Sequence, residues 1–268
     1  MFNLVLFLSL FIPLLSSGEE PQHKNSPKQI QNSSIYTALL WYRASGEKVA
    51  AYRQVFTSAL TIIESTVKTQ KPQAGAWGVI FSLDGTLLDN SPYLVAKLTA
   101  PANSSFESYT QYLQNNLLAP TPGALEISCA IQKLGGKVFI ISNRLGTTLR
   151  LSQNNLAHYQ ICYDALLLAN DDNDTNKNPR FNAVIVGDYE NIISSSIHSA
   201  TPIYAYFGSQ IEDFPHLKQN IISRLNHSPL AVDTAKYAAD PTQLDKFGTS
   251  YFILPNPIAG LWQQNHLN

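Results

Sequence analysis

Five short polar clusters carry the residues of this chain whose types and spacing can do chemistry. "FSLDGT" sets Ser82 two residues before Asp84, with Gly85 and Thr86 behind it, and "DNSPY" follows with Asp89 and Tyr93. "SNR" holds Ser142 and Arg144, "KNPR" holds Lys177 and Arg180, and "GSQIEDF" holds Ser209 and Asp213. Carboxylates, hydroxyls and cations are the groups that proton transfer, nucleophilic attack and anion binding require. Several of these residues also have a plain structural reading: Ser142 as a strand-end turn residue, Lys177 as a solvated loop charge, Asp213 as a helix cap, and the two arginines as partners for carboxylates.

The elements that must position these clusters are legible from their periodicity. "WGVIFSL", "KVFIISN", "DALLLAN", "NAVIVGD", "PIYAYFG" and "SYFILPN" are short, nearly continuous apolar runs, the pattern of strands buried on both faces. Helical patterns lie between several of them, "TPGALEISCAIQKLGG" and "GTTLRLSQNNLAHY" among them. Thr121 as N-cap, Pro122 in the first turn and Gly135 with Gly136 beyond the end bracket the first of these. Alternating strands and helices predict an α/β fold, a doubly wound parallel sheet with helices on both faces. Ligands of such sheets bind beyond the carboxyl ends of the strands, where the polar clusters fall.

Ahead of the sheet, Val49, Tyr52, Phe56, Ala59 and Ile63 recur at three or four residues, with Ser45 as N-cap and Glu47 in the first turn, which predicts an N-terminal helical part over about 35–70. Residues 94–120 separate the first strand from the next helix and are expected to form a small cap. The main domain is therefore placed at 35–268, after a polar linker over 19–34.

The chain has 268 residues, 44% hydrophobic and 14% charged, with a formal net charge of −1. Its Lys and Arg are scattered, so no basic stripe exists for a nucleic-acid polymer. The apolar run Leu4–Leu15, followed by Ser16, Ser17 and Gly18, has the outline of a secretory signal peptide over 1–18 and predicts export to a periplasmic or extracellular location. A retained membrane anchor is the alternative, although the run is shorter than the ~20 residues a spanning helix needs. Cys129 and Cys162 are the only cysteines; their apolar settings favour two buried free thiols, while export would permit them to pair.

With "LDGTLLDNSPY", "PTPGALE", "KVFIISNR", "KNPRF", "YFGSQIEDFP" and "YFILPNPIAGLW" in this order, the chain resembles the haloacid dehalogenase superfamily from about Trp41 to Trp262. The likeness is greatest to its bacterial acid phosphatase branch, subfamily IIIB, which includes secreted and lipoprotein 5'-nucleotidases. That resemblance implies an aspartyl-phosphate mechanism. A first Asp attacks phosphorus, and a second, two residues on, protonates the leaving alcohol and then activates water. Magnesium is held by the first Asp, by the backbone carbonyl of the second, and by an Asp after the fourth strand of the motif set.

Carried onto this chain, the resemblance gives Asp84 the acid/base place, Ser142, Lys177, Gly85 and Thr86 the phosphate, and Asp213 a carboxylate of the metal region. It puts Ser82 where the nucleophile belongs and Ser209 where a metal-binding Asp belongs. Both substitutions strike the magnesium shell that Ser82, Asp84, Ser209 and Asp213 would form. Loss of a covalent nucleophile costs on the order of a millionfold in rate, about 8 kcal/mol of barrier. Three routes would restore activity: Ser82 attacking with Asp84 as its base, Asp188 in "VIVGDYEN" replacing the lost carboxylate, or Asp89 reaching inwards. Tyr93, Tyr109 and Tyr112 are read as core or cap residues, at positions where related enzymes stack a nucleoside or aryl group.

The expected function is that of an exported acid-phosphatase-like protein, inactive or strongly impaired, that binds phosphate-bearing small molecules through Ser142, Lys177 and the N–H groups of the Asp84–Thr86 turn. No cofactor is expected on this reading. An active phosphatase using Mg2+ and a surface scaffold without a ligand are the two alternatives.

Overall fold

A computed structural model describes residues 34–100, 108–218 and 241–260. The signal peptide and most of the linker expected from the sequence lie outside the described residues. Two helices, α1 (Ser34–Ala44) and α2 (Gly46–Gln70), precede β1 (Gly78–Ser82). Then come α3 (Ser91–Thr99), α4 (Tyr109–Asn115), α5 (Ala124–Lys133), β2 (Lys137–Leu145), α6 (Leu149–His158), β3 (Ala165–Ala169) and α7 (Asn178–Val186). A two-residue β4 (Ile193–Ser194), β5 (Ile203–Gly208) and β6 (Tyr251–Ile253) complete the sheet. The strand order is β4-β3-β2-β1-β5-β6, parallel throughout except for β4 at one edge.

From β1 the chain builds outwards through β2 and β3, then returns to lay β5 and β6 on the other side. The crevice between the carboxyl ends of β1 and β5 is therefore a topological switch point, the place where such sheets bind ligands. Side chains alternate across β1: Val79 and Phe81 pack toward α2 and α5, while Ile80 joins Phe139, Phe181 and Phe214 on the opposite face. Phe81 stacks on Phe207 at 4.2 Å between ring centroids, and Phe207 on Phe252 at 5.2 Å. These rings clamp the three strands that carry the switch point, each buried ring contributing roughly 1.5–3 kcal/mol.

Ser45 caps α2 as expected, accepting from the Lys48 N–H at 3.1 Å. Tyr52, Phe56, Ala59 and Ile63 are buried along it, but Val49 is exposed and Lys48 takes the inward position. Its ammonium lies 2.9 Å from Asp89 and 3.5 Å from the centre of the Tyr42 ring. A charge goes inward here because a carboxylate and an aromatic face receive it.

Three local expectations are corrected. "NAVIVGD" is the end of α7 and not a strand: Pro179 opens the helix, Phe181 and Val184 face the core three apart, and Gly187 at φ 77° closes it by donating its N–H to Ala183. A continuous apolar run does not separate a buried strand from a half-buried helix by composition alone. Thr121 does not cap α5; its hydroxyl is donated to the Thr86 carbonyl and its N–H to Leu87, which ties the exit of the cap segment to the turn after β1 and leaves Gly123 as N-cap. Cys129 on α5 and Cys162 before β3 are joined in a disulfide, with Cα atoms 4.9 Å apart, because the flank of α5 packs against the turn that leaves α6. Neither is a free thiol.

Candidate functional site at the carboxyl ends of β1 and β5

Ser82 ends β1 and is buried. Lys177, at the start of α7 and also buried, reaches across so that its ammonium donates to Ser82 Oγ at 3.0 Å and to Asp213 Oδ1 at 2.5 Å. Asp213 is fixed by its neighbours as well, since its Oδ2 accepts from the Ser209 and Gln210 N–H groups at 2.8 and 3.0 Å. Ser209 follows β5 directly, and its hydroxyl is 3.4 Å from the Asp84 carbonyl oxygen. Four of the residues singled out from sequence, together with the Asp84 backbone, thus meet at the switch point.

The Asp84 carboxylate is engaged elsewhere. Arg144 grips it with Nε on Oδ2 at 2.8 Å and Nη2 on Oδ1 at 2.7 Å, and Tyr109 from α4 donates its hydroxyl to Oδ1 at 2.8 Å. Arg144 is itself buried and positioned by Ser152, which accepts from Nη1 at 2.9 Å. Burial alone would lower the guanidinium pKa, but the facing Asp84 charge and Tyr109 outweigh it and hold it above its ordinary value. Burial, then the Asp84 charge, pushes the Tyr109 phenol well above its usual range. Both carboxylate oxygens of Asp84 are therefore occupied as acceptors, by three donors.

Ser142 is buried within the carboxyl-terminal half of β2 rather than in a turn beyond it, and its Oγ accepts from the Arg144 N–H at 3.1 Å. Arg180 holds this strand end from behind, donating to the Ser142 carbonyl at 2.9 Å and to Asn143 Oδ1 at 2.7 Å. In the turn after β1, the Gly85 N–H is donated to Leu88 at 2.8 Å and the Thr86 N–H to Leu83 at 3.3 Å. Neither amide is free for an anion in this conformation, because the turn closes on its own carbonyls. The Thr86 hydroxyl is turned into the interior and has no partner there.

Neither Asp188 nor Asp89 shares a hydrogen bond with Ser82, Ser209 or Asp213. Asp188 is exposed beyond the far end of α7, about 13 Å of helix from the end that carries Lys177, and accepts from the Glu190 N–H. Asp89 pairs with Lys48.

These residues do not fit a magnesium site. A hard dication wants several oxygen acceptors with charge among them. Here Ser82 and Ser209 stand at the two positions where the resemblance expects carboxylates, Asp213 accepts from an ammonium on one oxygen and from two N–H groups on the other, and no cluster of three acidic, His or Cys side chains suited to a metal exists among the described residues.

Sequence reasoning did not find Ser152 or Asn256, and gave Tyr109 no contact with Asp84. Asn256 lies three residues beyond β6, and its Nδ2 is 3.2 Å from Ser209 Oγ. Tyr93 packs edge-on against Tyr109 and Tyr112 at 4.8 and 5.3 Å, a small aromatic cluster beside the Asp84 network.

An open, mainly parallel α/β sheet with its polar centre at the switch point defines the class of this protein. Residues 21–262 match the acid phosphatase family of the HAD superfamily, subfamily IIIB, and the chain belongs to that family. Its fold is shared with the class C acid phosphatase from Bacillus anthracis, at 20% identity and TM-score 0.64, over 85% of this chain and 86% of that one. A structure of the Bacillus anthracis enzyme with tungstate bound matches over the same shares, at 21% identity and TM-score 0.65.

Proposed function

We propose that the protein is an exported, acid-phosphatase-like chain whose hydrolytic centre is inactive or strongly impaired and whose strand-end cradle still receives phosphate-bearing small molecules. One observation carries this reading: at the end of β1 the expected nucleophile is a serine hydroxyl held 3.0 Å from the Lys177 ammonium, and the neighbouring carboxylate, Asp84, is clamped by Arg144. A serine nucleophile needs a base, and an ammonium is not one. With both Asp84 oxygens engaged, proton transfer through this residue first requires breaking an ion pair.

The same contacts favour anion recognition. Ser82 and Ser142 each accept a hydrogen bond from a fixed donor, so their own hydroxyl protons remain for a ligand. Lys177 has a third proton beyond those given to Ser82 and Asp213. A relative's structure with tungstate, a tetrahedral oxyanion, supports the same class of ligand. Export is supported by the apolar run Leu4–Leu15 and by the Cys129–Cys162 disulfide, a bond that persists in oxidising compartments.

Hydrolysis of p-nitrophenyl phosphate and nucleotides with Mg2+ tests the reading, on the parent and on the double variant Ser82→Asp with Ser209→Asp. Turnover is expected to be absent or feeble in the parent and raised in the double variant. Robust Mg2+-dependent turnover by the parent overturns the proposal in favour of an active phosphatase. Absence of any thermal shift with phosphate or nucleotides favours a scaffold instead.

A further inference from the structure

We propose that the switch-point site takes a tetrahedral oxyanion directly, without a divalent cation, and that the Asn256 amide is one of the residues that sets this preference. The inference rests on the phosphate-binding reading above and specifies how that ligand is held.

A protein binds a magnesium-like ion with free acceptors, whereas the acceptors gathered between β1 and β5 already receive hydrogen bonds from within the chain. Lys177 brings an ammonium to Ser82 and Asp213. Asn256 brings an amide: its Oδ1 accepts from the Ile258 N–H at 3.2 Å, so the nitrogen is the end that faces Ser209 Oγ, also at 3.2 Å. An amide nitrogen only donates, so the Ser209 oxygen accepts there and its proton is directed to the Asp84 carbonyl, 3.4 Å away. That carbonyl is the backbone oxygen which the family resemblance assigns to the metal. The acceptor positions of a cation shell are thus filled by protons from within the chain.

Packing reinforces this arrangement. Gly85 has φ 74°, and a Cβ placed on it would lie 2.7 Å from both Asn256 Nδ2 and Ser209 Oγ. The Asn–Ser pair therefore rests directly on the turn, where a magnesium ion with its retained waters would need room. Charge points the same way. Lys177 balances Asp213 and Arg144 balances Asp84, so the centre offers no excess negative charge to a dication. An oxyanion meets instead the free protons of Ser82, Ser142 and Lys177.

Two measurements on the unmodified protein test this without relying on turnover. Calorimetric titration with orthophosphate is expected to give the same affinity, within about twofold, in EDTA and in Mg2+. The paramagnetic resonance signal of aqueous Mn2+ is expected to survive addition of the protein undiminished. Asn256→Asp, which turns the donor into a charged acceptor at constant size, is expected to weaken phosphate in EDTA at least tenfold, roughly, and more than Asn256→Leu does. With Ser209→Asp added, the variant is expected to bind Mn2+ and quench its signal. Phosphate binding that appears only with Mg2+, Mn2+ capture by the parent, or parental affinity in Asn256→Asp overturns the inference alone. No phosphate binding in either buffer overturns the phosphate-binding reading and this inference with it.

Discussion

Arg144→Met cuts the clamp on Asp84 while keeping much of the volume and length of the arginine stem. The side chain it removes is almost wholly buried, makes two charge-assisted hydrogen bonds to Asp84 and donates further ones to Ser152 and to the Tyr109 hydroxyl. Breaking a buried ion pair from one side costs about 3–5 kcal/mol, since the charge left behind has lost its partner. Asp84 keeps the Tyr109 hydrogen bond and is about one-fifth exposed, which places the expected loss near the lower end, about 3 kcal/mol. For a domain of this size that lowers the melting temperature by roughly 6–12 °C. A double-mutant cycle with Asp84→Asn separates the pair from the packing of Arg144: the coupling is expected at about 2 kcal/mol, and high salt is expected to reduce it little because the guanidinium is out of solvent. Calorimetric or urea unfolding of the four proteins gives the numbers. A melting temperature within about 2 °C of the parent for Arg144→Met, or a coupling below about 0.5 kcal/mol, refutes the reasoning that this pair is a buried structural clamp.

Replacing Cys129 and Cys162 together by serine opens a cross-link between residues 33 apart in sequence and is expected to cost about 3–4 kcal/mol in urea unfolding; a change below about 1 kcal/mol speaks against a structural staple. The buried phenols of Tyr42, Tyr52 and Tyr109 have pKa values raised first by desolvation, and Tyr251 is pushed up to about 12. Raised folded-state values mean that their stabilising share is complete below the ordinary value of 10.0 and is lost as pH climbs above it, because only the unfolded chain ionises there. Spectrophotometric titration is therefore expected to show tyrosinate appearing later in the native protein than in urea. Superimposed curves contradict the burial of these rings.

Much of the site is legible in the sequence, and the reason is local. Strand runs, the glycines that end α5 and the polar clusters beyond them are written in neighbouring residues, so the α/β class and a site at the carboxyl ends of the strands followed from periodicity and punctuation. The resemblance then located Ser82 and Ser209 as the two departures, again without long-range information. "NAVIVGD" marks the limit of that method. Its composition suits a buried strand, and only the packing of Phe181 and Val184 against the sheet makes it a helix.

Tertiary structure alone decided how the charges pair. Lys177 meets Asp213 across 36 residues, Arg144 meets Asp84 across 60, Lys48 meets Asp89 across 41, and Cys129 meets Cys162 across 33. The sequence by itself determined which groups this centre owns and that two expected carboxylates are serines. Which acceptor each donor occupies, and hence that Asp84 is held by an arginine and Asp213 by a lysine, depended on the order in which the strands are laid beside β1. Hydrogen bonds reach about 3 Å, and only folding brings residues so distant along the chain within that reach.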